Sequence, residues 1–447
     1  YYEYNLAVIS YLGMGNASKN KYYDVGVATV SITPKLGIDL YSLDGVERNS
    51  SKLHSELNAN VITIILGEYL LIIVSLDLIW VDKIFTDRVR KWINSKHYSY
   101  QIHLLIVATH SHSTPQISKK NLNSARPDLS YLDFLYNKVC KAINNAIDNK
   151  DSCYVELSIT RPNLTVNRRK KVLSPGLLKH GIFKNIVKNR PNYSGPCDDS
   201  LYSVWFYNAK GSEKAVILNY ACHPTLFRHD AVSADFPGAV AGYLKNGLSE
   251  DLVVCFLQGF AGNIKADLTK SSCSNYKNPF SYIYNCLFDR VQFNKKISQQ
   301  ELDHFSAKLA QSSLERVNRE RIKPQLFFSS KVVKLPLQNG ISAQYVNLEI
   351  SYVSIGDKLK IVALGGEIFT EYSIWLRNIL PSDEVSFLTV GYCNDMAGYV
   401  PTYEAIHEGG YEVERAFTEF SYPSPFSDKI EGIVKKGIIE LIEMDKA

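Results

Sequence analysis

The sequence predicts an α/β protein built on a large mixed central β-sheet flanked by helices, with a metal site at the strand ends. Three observations point there. Apolar runs of strand length, at 60–66, 69–78 and 104–108, are too continuous for a sheet wetted on one face and read as strands buried on both. Stretches with helical spacing alternate with them. The runs also stop at chemically loaded residues: one at His110-Ser111-His112, one at Cys222-His223-Pro224, one at Gly365-Gly366-Glu367. In open α/β sheets, active sites collect beyond the carboxyl ends of the strands.

The elements follow in order. Residues 1–22 read as a leader, poorly ordered or docking, and 23–447 as a single domain with loop insertions near 161–200 and 268–297. The first strand opens at Tyr23. Runs 60–66 and 69–78 are strands joined at Gly67-Glu68, and 84–94 is a helix with Asp82 as its N-cap. The His-x-His strand comes next, then a helix over 131–148 and a strand over 154–159. Segment 161–200 is polar and reads as a functional loop or lid. Strands 202–207 and 215–221 form a pair around Lys210-Gly211. A helix N-capped by Asp235 and a buried strand over 252–257 follow. A helix over 299–320, strands at 325–335, 345–353 and 359–364, a helix over 368–378, a strand at 385–390 and a helical tail over 429–444 complete the chain.

Bulk properties narrow the class. The chain has 447 residues, 45% hydrophobic and 21% charged, which suits a folded protein with a substantial core. Its formal charge of +5 is a small excess of 50 basic over 45 acidic residues, so no nucleic-acid partner is expected. Basic residues gather at Asn167-Arg168-Arg169-Lys170-Lys171 and again up to Arg190, either a solvated basic loop or the neighbour of an anionic substrate or membrane surface. No run reaches the roughly 20 apolar residues of a membrane span, and peripheral membrane contact stays open. None of the 8 cysteines forms a C-x-x-C pair; Cys222 and Cys255 read as core, and Cys273 and Cys286 flank the second insertion as a possible disulfide.

The strand ends carry the chemistry. On an extended chain, residues two apart share a face, so His110 and His112 would project together as a metal site or proton-transfer pair, or else lie in a surface turn. Two histidines, a carboxylate and an open position make a common catalytic zinc set. The residues alone leave two points open: whether His223 and Glu367 converge on the pair, and whether Glu367 is instead a carboxylate in the first turn of a helix.

Several segments together resemble the neutral/alkaline, non-lysosomal ceramidases, a family of zinc-dependent amidases, over about residues 25–415. They are Ala28-Thr29-Val30-Ser31-Ile32-Thr33-Pro34, Ala108-Thr109-His110-Ser111-His112-Ser113, His223-Pro224-Thr225, Gly366-Glu367, and the stretch from Asn394 to Tyr411, in which Tyr399 and Tyr411 keep a twelve-residue separation. The resemblance implies one Zn²⁺ per chain held by His110, His223, Glu367 and Tyr399, readying a water for attack on an amide carbonyl. It implies His112 as base or oxyanion donor, Tyr411 as oxyanion stabiliser, and Arg168, in an Asn167-Arg168 pair, as a ligand of the substrate carbonyl or the oxyanion. Asp77 is a candidate partner for a metal histidine, or simply the residue that ends a strand.

Departures accompany the resemblance. Where that family carries a serine near the metal, this chain has Lys265 within Gly262-Asn263-Ile264-Lys265-Ala266, which makes Lys265 and Asn263 candidate substrate contacts. Thr114-Pro115 replaces a glycine-rich continuation, and the chain reads as a short form lacking a C-terminal β-sandwich domain. The function expected is a zinc-dependent hydrolase of a linear N-acyl amide, on a small-molecule, lipid or saccharide substrate. The alternatives are an N-deacetylase of an N-acetylated amino sugar or polysaccharide, and a non-catalytic zinc-containing binding module.

Overall fold

The computed structural model describes residues 10–11, 21–41, 48–118, 127–175, 183–227, 230–271, 291–315, 319–338, 344–379 and 385–446. The first strands are β1 (Tyr23–Ser31), β2 (Asn58–Leu66), β3 (Tyr69–Leu76) and, after helix α1 (Lys83–Lys96), β4 (Gln101–Ala108). Helix α2 (Leu129–Asp148) leads into β5 (Lys150–Thr160), β6 (Thr165–Pro175), β7 (Phe183–Asn192), β8 (Leu201–Asn208) and β9 (Glu213–Tyr220). Then come α3 (Asp235–Gly247), β10 (Val253–Gln258), β11 (Ile264–Ala266), α4 (Gln299–Leu314), β12 (Glu320–Ile322), β13 (Leu326–Pro336), β14 (Tyr345–Ile355), β15 (Leu359–Leu364) and β16 (Glu367–Ile368). The last elements are α5 (Glu371–Ile379), β17 (Ser386–Val390), β18 (Tyr399–Val400), α6 (Tyr403–Glu408), α7 (Tyr411–Glu414) and α8 (Ile430–Lys446).

Nine strands make one mixed sheet in the order β10-β9-β8-β5-β1-β2-β3-β4, with β12 on β5; β3–β4 and β9–β10 are its parallel pairs. A second, five-stranded sheet runs Ser10–Tyr11, β13, β14, β15, β17, with β15–β17 parallel. The two sheets pack face to face: Ile62, Ile73 and Leu105 share one apolar cluster with Phe328, Ile361 and Leu388. Helices α1 and α2 cover the outer face of one half of the large sheet, α3 and α4 the other half, and α5 and α8 the second sheet.

The continuous apolar runs now have their cause. Along β3, Leu71 and Ile73 enter the core between the sheets, while Leu70, Ile72 and Val74 enter the core under the helices. Both faces are dry, so the strand is apolar except for Ser75, whose hydroxyl donates to the Phe256 carbonyl, and each full apolar burial is worth about 1.5–3 kcal/mol over exposure. The Asp82 carboxylate caps α1 by accepting from the Phe85 amide at 2.9 Å.

Several expectations need correction. Segment 161–200 is not a loop: β6 and β7 form an antiparallel hairpin, and β11 joins it as a third strand. The helix expected to reach residue 320 ends at Leu314, after a Ser298–Glu301 capping box at its start. Asp235 is the first residue of α3 rather than its N-cap; it sits at φ +56°, and its carboxylate accepts from the Phe227 and Phe236 amides. Helix α5 starts at Glu371, so Glu367 is a strand residue and not a helix carboxylate. Ser10–Tyr11 of the leader pair with β13. Cys273 and Cys286 lie outside the described residues; the six cysteines described are free thiols. Among the described residues, no helix is long and apolar enough to cross a membrane.

This architecture positions a site. The carboxyl ends of β4, β10 and β17 are laced together: the Ala108 amide donates to Tyr392, Asn394 to Ile106, and Gly391 to Gln258.

Candidate active site

The His-x-His segment does not work by strand alternation. β4 stops at Ala108, and His110 adopts φ +71°, a left-handed conformation that costs a non-glycine residue on the order of 1–3 kcal/mol. Surrounding bonds hold it there: the His110 amide donates to Leu78 at 2.9 Å and its Nδ1–H to the Ile79 carbonyl at 2.7 Å. The turn, not the pleat, brings His110 and His112 together, their rings 4.9 Å apart.

His223 completes the group. It follows β9, and its Nδ1 donates to the Ala261 carbonyl at 3.2 Å. A carbonyl only accepts, so both Nδ1 atoms carry the proton, and the Nε2 atoms of His110 and His223 present lone pairs. Those two nitrogens stand 3.2 Å apart. Burial, and then the Arg168 guanidinium, holds His223 well below the usual imidazole range. A cation between the two nitrogens would suit the contact. In a tetrahedral zinc site with bonds of about 2.0–2.1 Å, neighbouring ligand atoms stand about 3.3 Å apart. The Glu367 Oε2 fits that spacing, at 3.5 Å from His110 Nε2 and 3.6 Å from His223 Nε2. The donor atoms of His110, His112 and His223 all lie within 4.8 Å of one another, and all three residues are buried. The residues present fit a divalent metal.

Glu367 and Tyr399 face each other in register across the parallel β16–β18 pair. Gly262 permits the close packing behind them, since a Cβ there would lie 2.5 Å from the Glu367 carbonyl oxygen. Arg168 is delivered by an irregularity in the β6–β7 register between Asn167 and Arg169, the kind of bulge that re-aims a side chain. Its Nη2 donates to the Tyr399 hydroxyl at 3.1 Å and to the Gly262 carbonyl at 2.7 Å. Burial, and then the Glu367 carboxylate, pushes the Tyr399 phenol well above its ordinary range, while Arg168 pulls it down. In the protein alone this phenol is neutral; a divalent cation alongside would reverse that. Tyr411 lies at the rim, 38% exposed, its ring 6.1 Å from that of Tyr399 and its hydroxyl bonded to Glu419.

The side chains of three further sequence candidates have partners outside the histidine group, although the Lys265 backbone bridges that of His223. The Asn263 amide is engaged at both ends, accepting from the Thr370 amide and donating to Glu371, so it anchors the approach to α5 rather than facing the histidines. The Lys265 ammonium sits 4.9 Å from the centre of the Phe293 ring. Asp77 accepts from the Asn58 amide at 2.9 Å, and the outer nitrogens of His110 and His223 are taken by backbone carbonyls instead.

Two residues were not singled out by number in the sequence, although one lies in the Tyr-rich segment after Val390, a strand end of the kind that carries the chemistry. The Tyr392 ring stacks on His110 at 4.1 Å, and its hydroxyl donates to Glu367 Oε2 at 3.4 Å. Its place just after an apolar strand was the available signal. Glu412 binds Arg168 and Arg169 together, a contact across more than 240 positions that no local pattern encodes.

No family model and no curated protein matches the sequence. Solved structures do match. The chain superposes on neutral ceramidase from Pseudomonas aeruginosa with a TM-score of 0.72 at 14% identity, covering 95% of this chain and 74% of that one. The fold is that of neutral ceramidase. A ceramidase complexed with C2 matches equally, with a TM-score of 0.72 at 14% identity over 94% of this chain and 75% of the other.

Proposed function

We propose that this chain is a zinc-dependent hydrolase that cleaves the linear amide of an N-acyl lipid, as a ceramidase does. The observation that carries the reading is the 3.2 Å approach of two imidazole lone pairs beside the Glu367 carboxylate. The ceramidase fold supports it by analogy. His110, His223, Glu367 and Tyr399 would hold the ion. Bound there, zinc supplies Lewis acidity at the carbonyl and lowers the pKa of the attacking water.

The chain's own groups do the rest. Arg168, its cation already beside Tyr399, hydrogen-bonds the carbonyl oxygen and stabilises its growing negative charge. Tyr411 adds a phenol from the rim. His112 takes a proton from the attacking water and returns one to the departing nitrogen. The C–N bond breaks, the hydroxyl stays on the acyl carbon, and the products are a carboxylic acid and an amine.

The basic character of the β6–β7 hairpin does not favour an acetylated sugar. Arg169 is spent on Glu412, Arg168 is paired with the same carboxylate through Nε, and Lys171 is paired with Glu408 at 2.8 Å. The test is product analysis on short- and long-chain ceramides, N-acyl amino acids and N-acetylated sugars, with and without a chelator. Chelator-sensitive release of fatty acid from ceramide is expected. Release of acetate from the sugar alone would move the protein to the deacetylases; zinc without turnover would make it a binding module.

A further inference from the structure

The bulge at Arg168 leaves two consecutive arginines buried on one side of the hairpin, a costly arrangement unless their charge is met. One carboxylate meets both. Glu412 Oε1 accepts from Arg168 Nε at 3.0 Å, and Oε2 accepts from Arg169 Nη1 at 2.8 Å. All three side chains are less than a tenth exposed. Arg169 also donates to the Ala405 and Gly409 carbonyls, at 3.2 and 2.7 Å, which clamps the 403–414 segment to the hairpin. Gly410 lets that segment pass: at φ +97°, a Cβ would stand 3.0 Å from Val187. Among the described residues, the hydrogen bonds of Arg168 use Nε and Nη2, so Nη1 is the nitrogen left to meet a substrate oxygen.

We propose that Glu412 is the positioning residue of this site: by gripping Nε, it sets the plane of the Arg168 guanidinium so that one edge reaches Tyr399 and the other the carbonyl oxygen of a bound amide. The inference rests on the amidase reading above. The division of labour is specific. Arg169 ties the segment down, whereas Arg168 carries the effect of Glu412 to the reacting atoms. A carboxylate that held only the fold would affect stability; one that aims a guanidinium acts on the transition state, where charge on the oxygen is largest.

The test is a double-mutant cycle on the zinc-loaded protein. Glu412→Gln keeps the shape and removes the charge. It is expected to lower kcat by about 10²-fold, with KM changed less than about threefold and metal content unchanged. In an Arg168→Met background the same substitution should cost kcat nothing further, because the group it acts through is gone. A turnover-independent readout is titration calorimetry with an N-alkyl phosphonamidate, whose affinity should fall in parallel with kcat. Equal losses in both backgrounds, or a Glu412→Gln enzyme within about threefold of wild-type kcat, would overturn the proposal. Should Glu412→Gln not fold, Glu412→Asp carries the same cycle, and wild-type kcat there would overturn it as well. A harmless Arg168→Met would instead sink the amidase reading itself, a result distinct from failure at Glu412.

Discussion

The two ends of β4 hold buried histidines in opposite circumstances. His103, in its amino-terminal half, stacks on Phe328 with rings 5.1 Å apart, and burial together with Arg90 pushes its pKa down to about 4. Beyond the carboxyl end, His110 turns to meet His223, with Glu367 alongside. Both imidazoles are buried, yet only the second has lone-pair companions. Burial alone makes a core residue; convergence of lone pairs with a carboxylate makes a candidate metal site.

The comparison breaks most visibly under substitution. His223→Ala should abolish bound metal and lower hydrolysis by about 10³-fold or more, whereas His103→Phe should retain both. Metal analysis and initial rates on the two variants decide it; metal loss in His103→Phe would erase the distinction. Near His103, Arg90 pairs with Glu349 at 3.0 Å. Glu349→Gln should cost about 3 kcal/mol in urea unfolding while leaving kcat unchanged.

Acid sharpens the comparison further. A histidine whose folded pKa lies near 4 against 6.5 unfolded loses stability as pH falls from 6.5 to 4, by about 3 kcal/mol at most. Asp77 acts in the opposite sense. Burial pushes it up to about 7 from 3.8, so its contribution is present at low pH and lost as pH rises through 7. The two slopes offset each other in the wild type. His103→Phe should therefore make the protein more stable on acidification from pH 7 to 4, and Asp77→Asn less stable. Unchanged pH profiles in both variants would contradict the assignment. The smallest effect belongs to Tyr392→Phe, which keeps the ring on His110 and loses the bond to Glu367; metal affinity should fall about tenfold, read by competition with a chromogenic chelator.

What was legible in the sequence follows from these physics. Strands β2, β3, β4 and β10 announce themselves because both faces are dry, and Asp82 marks a helix start because a carboxylate satisfies open amides. The same dryness cannot say what covers each face, so the second sheet was not foreseen. The hairpin β6–β7 was read as a loop because its buried groups include Arg168 and Arg169, whose partner Glu412 is remote in sequence. Glu367 looked as much like a helix start as a strand residue, because β16 owes its form to pairing with Tyr399-Val400 rather than to its own two residues.

The most direct test of the account is the metal content of the purified protein, measured by mass spectrometry beside His223→Ala prepared identically. The account predicts about one zinc per chain in the wild type and none in the variant. Trace metal in both, or equal metal in both, would contradict it.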